Sequence, residues 1–358
     1  MSGRSLAEEL EQVIQDRAGL FAYCSPGTCV PRLFLFATDE IRTYCSWASL
    51  PDSKGFLIAP FALSPSTPIV FLPLDGKTDL AQDYIWPTVT EAPSEQQLRH
   101  EPTEAYRHAF GTFAQALASG QFDKLVLARQ KTSAMQAPID PIATFACASK
   151  LYPDAYTYIL YTPATGLWLA STPELLLSGS YNSWQTMALA GTLPAEAIER
   201  GGCWSDKNIR EQALVTTYIC DRLSSLDIET HTSTPYTVRA GRLVHLRTDI
   251  AFSLAESNSI GQLVGSLHPT PAVCGLPKEE AMQFIISHEP EGRSYYSGCL
   301  GLIDPEGDTA LYVNLRCLSI ESGVARLYAG GGLLPNSTLQ DEWLETERKM
   351  QTMGAALR

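Results

Sequence analysis

AYTYILYTPATGLWLASTPELLLSGSYNSWQTMALAGT, residues 155–192, decides the fold class. It holds four short apolar runs, at 155–161, 166–172, 174–180 and 183–192, separated by Pro, Gly and Asn-Ser breaks. Runs this short, rich in β-branched and aromatic residues and bounded by turn formers, predict consecutive antiparallel strands. The same signature appears downstream at 244–252, 298–304, 310–320 and 324–332, and upstream at 31–37, 55–62, 68–74 and 124–132. Helical spacing marks 4–17 (Leu6, Leu10 and Ile14 on one face), Thr103–Leu117 with Thr103 as N-cap, 139–151, Ser205–Leu226, Pro277–Ile286 and the terminal Leu339–Met353. Strands outnumber helices and cluster in meanders, so the class is α+β and not a doubly wound parallel sheet. No repeat or linker interrupts the chain, which predicts one domain over 1–358. Residues 1–100 form a variable part without a chemical constellation, and 101–358 carry the motifs.

The bulk composition excludes several functions. The chain has 358 residues, 45% hydrophobic and 18% charged, with a formal charge of −13. That acidity argues against a nucleic-acid partner. Nine scattered cysteines contain no C-x-x-C pair, so no zinc or redox framework is expected. The N-terminus is amphipathic and acidic, unlike a secretory signal, and no apolar run approaches the roughly 18 residues of a membrane span. A cytoplasmic monomer without membrane contact is the expectation.

Several residues stand out by type and position. On the terminal helix Glu342, Glu345 and Lys349 share one face, while Trp343, Thr346, Met350 and Met353 make a second, mostly apolar one. If the apolar face packs, the charged face either meets solvent or looks into a cleft. Just upstream, Ala329–Pro335 is a glycine run suited to close backbone approach to a ligand. Lys124 opens a strand and is either solvated or a general base. Glu174 sits between two apolar strands, as a solvated turn carboxylate or an acid of raised pKa. Glu211 follows Lys207 by four residues, which fits a helix-surface bridge or, with Glu345, two carboxylates for a divalent cation. Arg316 lies inside an apolar strand, where an anion is its natural partner. Gly191–Thr192 is either a turn or a carboxylate-binding pair. His245 is either a core residue or a pocket one.

The ordered series KLVLAR (124–129), STPELLL (171–177), ALAGT (188–192), SDKNIREQALV (205–215), HPTPAVCGLPK (268–278), EPEGRSYYSG (289–298), NLRC (314–317), LYAGGGLLP (327–335) and DEWLETERK (341–349) resembles the chorismate-utilising enzymes. The resemblance implies two large, packed, mainly antiparallel sheets flanked by helices. It implies Lys124 as the base that activates water and Glu174 as the acid that protonates a departing C4 hydroxyl. It also implies Glu211 and Glu345 as Mg2+ ligands with Glu342 nearby, the metal holding the ring carboxylate of chorismate together with Gly191, Thr192 and Lys349. Arg316, Tyr296 and the amide of Gly330 would grip the enolpyruvyl carboxylate, with His245 beside the ring hydroxyl.

Ammonia-using members lack a lysine at the position of Lys124 and need a glutaminase subunit, so none is expected here. Ala190 stands where the aminodeoxychorismate branch carries a nucleophilic lysine. The expected activity is therefore isochorismate synthesis, serving menaquinone. A salicylate synthase, a siderophore-pathway isochorismate synthase and a non-catalytic chorismate-binding relative are the alternatives. Asn208 and Arg210 replace an acidic residue and a histidine common in relatives, a change close to the metal ligands.

Overall fold

The structure is a computed structural model and describes residues 4–88, 98–133, 138–241, 243–254 and 259–358. Eight strands form one sheet in the order Gly275–Leu276, Lys124–Thr132, Val324–Leu333, Cys317–Glu321, Gly166–Thr172, Tyr156–Thr162, Gly19–Cys24 and Arg32–Phe36. The second sheet runs Thr230–Thr232, Leu243–Phe252, Ser183–Pro194, Leu175–Ser180, Thr309–Val313, Cys299–Ile303, Gly55–Ala59, Ile69–Pro73 and Arg42–Tyr44, with Tyr236–Ala240 also on Leu243–Phe252. Neighbours in both sheets pair antiparallel.

The sheets pack face to face. Phe21, Tyr158 and Trp168 of the first interdigitate with Phe56, Ile58, Val70 and Leu300 of the second. Alternation along each strand then leaves a second apolar face outward, which helices cover. Leu6–Gln15 and Pro141–Leu151 cover the first sheet, and Asp206–Ser224 and Ile260–Leu267 the second. Each large side chain so buried contributes about 1.5–3 kcal/mol. The first helix buries Val13 with Leu6 and Leu10, and Ile14 faces solvent. That shifts the expected stripe by one residue. Thr103 and Ser205 cap their helices as expected, accepting from the amides of Tyr106 and Asn208.

Two further expectations are corrected at the places that matter most. The runs 166–172 and 174–180 are not hairpin neighbours, since the chain leaves the first sheet at Thr172 and joins the second at Leu175. Likewise 310–320 is not one strand. Thr309–Val313 belongs to the second sheet and Cys317–Glu321 to the first. Arg316 therefore sits at a break between strands, in the left-handed region at φ +47°. The two crossings clasp each other. The Val313 amide donates to the Glu174 carbonyl at 2.9 Å, the Ser171 amide to the Arg316 carbonyl at 3.1 Å, and the Thr172 hydroxyl to the Val313 carbonyl at 2.6 Å.

The glycine run is strand as well. Gly330–Gly332 lie within Val324–Leu333, paired with Ala128, Leu127 and Val126. Glycine is required for space rather than for a loop. A Cβ on Gly332 would stand 2.1 Å from Glu211 Oε1, and one on Gly331 2.7 Å from Glu342 Oε2.

Candidate active site

Beside the two crossings is a cavity with about 630 Å3 of empty space. Ten of the residues singled out from the sequence line it: Glu174, Gly191, Thr192, Glu211, His245, Tyr296, Arg316, Gly330, Glu345 and Lys349. Lys124 and Glu342 stand directly behind this lining. The Lys124 side chain touches Glu211, and Glu342 packs on Gly331. The terminal helix explains part of the convergence. Its apolar face, Trp343, Thr346, Met350 and Met353, is buried, which turns the opposite face toward the cavity.

Lys124 is fully buried, so the solvated reading of a strand-end lysine fails. Its Nζ lies 3.0 Å from Glu211 Oε1 but out of line for a hydrogen bond, and it makes none among the described residues. Its contact with Glu211 is thus an ion pair without a hydrogen bond, a weaker compensation for lost water.

Glu174 is buried at the sheet crossing. Desolvation pushes its carboxyl up to about 8, opposed by the positive charges of Lys124, Lys349 and Arg316. It is therefore mainly protonated at neutral pH and able to donate.

Two crossing-associated features build the anion-binding wall. At Gly191 the strand Ser183–Pro194 slips register by a bulge, with φ +73°. The bulge turns the Gly191 carbonyl to His245 Nδ1 at 2.9 Å, with the Thr192 hydroxyl at 3.3 Å. His245 Nε2 lies 3.1 Å from Arg316 Nη2. The guanidinium only donates, so Nε2 accepts and Nδ1 carries the proton. Burial and the charges of Arg316 and Lys349 drive the imidazole down to about 3, which keeps it neutral. His245 thus orients Arg316 without adding charge. No carboxylate among the described residues comes into ion-pair contact with Arg316, although it is only 7% exposed. A buried guanidinium held by neutral partners is a seat for a ligand carboxylate.

Gly330 contributes backbone groups. Val126, Ala128 and Gln130 send their amides away from the neighbouring strand, to the Cys274 carbonyl, Glu289 and Glu291. In an antiparallel ladder their partners Gly332, Gly330 and Tyr328 must then turn their own groups away too. The Gly330 carbonyl accordingly accepts from Lys349 Nζ at 2.8 Å. The Tyr296 ring stacks on Tyr328 beside it, at 5.6 Å between centroids.

The three carboxylates are each matched by a lysine. Glu211 meets Lys124, Glu345 meets Lys349 at 2.7 Å, and Glu342 meets Lys207. The sequence reading paired Lys207 with Glu211 along the helix, but the tertiary contact to Glu342 takes it instead. Among the described residues no three candidate ligands form a ready-made cage. The fit to a hard cation nevertheless rests on one orphan. Glu342 Oε2 is buried and makes no hydrogen bond among the described residues. It lies against Gly331, with Glu345 Oε1 also near that position, and desolvation and the charge of Glu345 raise its pKa. An unspent carboxylate oxygen beside others is the donor chemistry of a Mg2+ site completed by substrate and water.

Sequence reasoning missed Lys207 as part of the site, its only signal being a helix spacing that pointed elsewhere.

Known proteins resemble this chain in sequence and fold. The family model "Chorismate binding enzyme" matches residues 77–358. Isochorismate synthase MenF of Escherichia coli (strain K12) is 34% identical over 240 residues, 65% of this chain and 55% of that protein. Isochorismate synthase EntC of the same strain is 32% identical over 66% of this chain and 62% of its own length. The matched region thus spans little more than half to three-fifths of these two relatives. A putative isochorismate synthase MenF of Mycobacterium tuberculosis (strain CDC 1551 / Oshkosh) is 29% identical over 94% of this chain and 95% of its own. The solved structure of E. coli MenF, a menaquinone-specific isochorismate synthase, superposes with a TM-score of 0.77 at 26% identity, covering 95% of this chain and 89% of that one. Anthranilate synthase component I of Streptococcus pneumoniae shares the fold, with a TM-score of 0.67 at 16% identity.

Proposed function

Since the chain belongs to the chorismate-binding enzyme family, we propose that it is an Mg2+-dependent isochorismate synthase. The observation that carries this reading is Glu174, a buried carboxyl held protonated on the wall of a cavity that also contains an unpaired guanidinium. Similarity to MenF and EntC supports it. Resemblance to the menaquinone-specific enzyme favours menaquinone synthesis as the destination.

The chemistry needs a base on one side of the ring and an acid on the other. Lys124 as base takes a proton from water as its oxygen bonds to C2. Both ring double bonds shift, the C4–oxygen bond breaks, and Glu174 supplies the proton that lets this hydroxyl leave as water. One water enters and one departs, so the reaction is an isomerisation and reversible. Arg316, oriented by neutral His245, binds the enolpyruvyl carboxylate with the Tyr296 hydroxyl and the Gly330 amide. Lys349 and the Gly191–Thr192 bulge face the ring carboxylate. Glu211 and Glu345, with Glu342 through its free oxygen, would hold Mg2+, which supplies charge neutralisation and orientation of that ring carboxylate. Fixing both substrate carboxylates makes the attack effectively intramolecular.

Purified protein incubated with chorismate and Mg2+, with products separated chromatographically, tests the proposal. Isochorismate is expected without added ammonia or a glutaminase. Anthranilate from ammonia, or salicylate with pyruvate as the first product, would refute it, and binding without turnover would make the protein a non-catalytic relative.

A further inference from the structure

A second cavity, with about 770 Å3 of empty space, lies on the far side of Pro173 and Arg316, the two residues it shares with the substrate cavity. Its lining is mixed. Leu151, the Tyr152 ring and Ala240 offer apolar surface, and Arg239 and Arg316 offer two guanidiniums against one carboxylate, Asp154. The site is built rather than incidental. The Tyr152 hydroxyl donates to the Thr352 carbonyl at 3.0 Å, tying this wall to the terminal helix. Gly241, at φ +62°, brings the hairpin tip against Tyr152, where a Cβ would approach the ring to 2.9 Å. At the rim Arg239 is held by the Gly241 carbonyl and Glu199, each at 2.9 Å.

Arg316 is the link between the cavities. It is only 7% exposed and touches both. Nη2 is committed to His245 on the substrate side, and Nη1 makes a long, 3.5 Å contact to Thr352 Oγ1 on the other. One buried guanidinium with donors directed to two cavities has capacity for a carboxylate in either. Two carboxylates sharing that single charge repel each other across it.

We propose that the second cavity binds a small aromatic monocarboxylate, and that its occupancy weakens substrate binding through Arg316. The apolar lining takes the ring and Arg316, with Arg239 at the mouth, takes the carboxylate. This site is distinct from the seat of the enolpyruvyl carboxylate, and its effect on substrate rests on the function proposed above.

Benzoate is the probe. Calorimetric titration of the full chain is expected to show saturable benzoate binding. In steady-state assays saturating benzoate raises the KM for chorismate about tenfold with kcat unchanged, a typical coupling. Ala240→Trp fills the cavity and Arg239→Ser removes the outer charge. Both are expected to weaken benzoate binding at least several-fold while leaving kcat and KM measured without benzoate as they were. If the tryptophan variant fails to fold, the serine variant carries the test alone. Absence of saturable binding at millimolar benzoate would overturn the proposal, and so would binding that survives both substitutions, which would place benzoate in the substrate cavity. Binding without a rise in KM would overturn the coupling. Calorimetry requires no turnover. A protein that binds benzoate here but leaves chorismate unchanged would refute the proposed activity and not the site.

Discussion

Two sets of buried charges in this molecule are treated in opposite ways. Away from the cavity, two buried arginines are fully partnered. Arg293 donates to the Val273 and Val126 carbonyls at 2.6 and 2.8 Å and to both oxygens of Glu289, and it lies over the Phe61 ring. Arg129 stacks on Trp343 and donates to Thr346 and Glu347, whose other oxygen takes Lys131 and the Arg99 amide. Around the cavity the groups are left short. Among the described residues Lys124 Nζ and Glu342 Oε2 have no hydrogen bond and Arg316 no carboxylate, and Glu174 is held neutral against its usual state. Breaking a saturated pair strands a buried charge and costs the fold. The groups around the cavity are less fully bonded, so replacing them is expected to cost less stability than breaking a saturated pair.

That contrast can be broken by substitution. Lys124→Met keeps the bulk of the side chain and removes the amine. We expect kcat to fall about a hundredfold to ten-thousandfold, the usual worth of a general base, while the urea midpoint stays near wild type. Retained turnover would remove Lys124 as base. Glu174→Gln is expected to cost a similar or slightly smaller factor. It also carries a pH signature. The folded pKa of about 8 stands above the ordinary 4.5. The protonated carboxyl therefore favours the folded state fully below the ordinary value, and that contribution is lost as pH rises toward 8. Wild type should lose stability across this window and the glutamine variant should lose less, measured by thermal melts at several pH values. The rate supported by Glu174 should fall in the same direction, as its proton is lost above 8.

The saturated set gives the opposite outcome. Arg293→Met is expected to lower unfolding free energy by about 3–5 kcal/mol in urea titration, with any activity change following the folded fraction. A loss of kcat at full stability would abolish the distinction. The smallest effect sharpens the comparison at the metal. Lys207→Gln frees Glu342 of its counter-charge and should lower the Mg2+ concentration for half-maximal binding about fivefold, the worth of a partly exposed pair near 1 kcal/mol. Quenching of protein fluorescence by Mn2+ would report this without turnover.

Much of this was legible in the chain and some was not, for physical reasons. Strand periodicity located Lys124–Thr132 and Gly166–Thr172 to the residue. Caps located the helices beginning after Thr103 and Ser205. The break at Arg316 was hidden because Leu315 and Cys317 continue the apolar run, and a left-handed arginine carries no sequence mark. The crossing at Pro173 looked like an ordinary turn, since a proline between two strands does not say which sheet follows. Strands 19–24, 32–36, 55–59 and 69–73 extend both sheets from the segment without motifs. Their partners are set by register with strands far along the chain, which local pattern does not encode. The glycine run was read correctly as strand and as close approach, but spacing alone does not reveal which carboxylates need the room. Glu347, an apparent surface charge on the last helix, is buried only because Arg129 and Lys131 come from a strand more than two hundred positions earlier.

The most direct test of the central assignment is the reaction run in heavy-oxygen water with chorismate and Mg2+, the product read by mass spectrometry. Lys124 activating water and Glu174 expelling the C4 hydroxyl predict isochorismate carrying one solvent oxygen, located at C2, with Lys124→Met and Glu174→Gln both suppressing its formation. Isochorismate free of solvent oxygen, or label uptake that survives both substitutions, would contradict it.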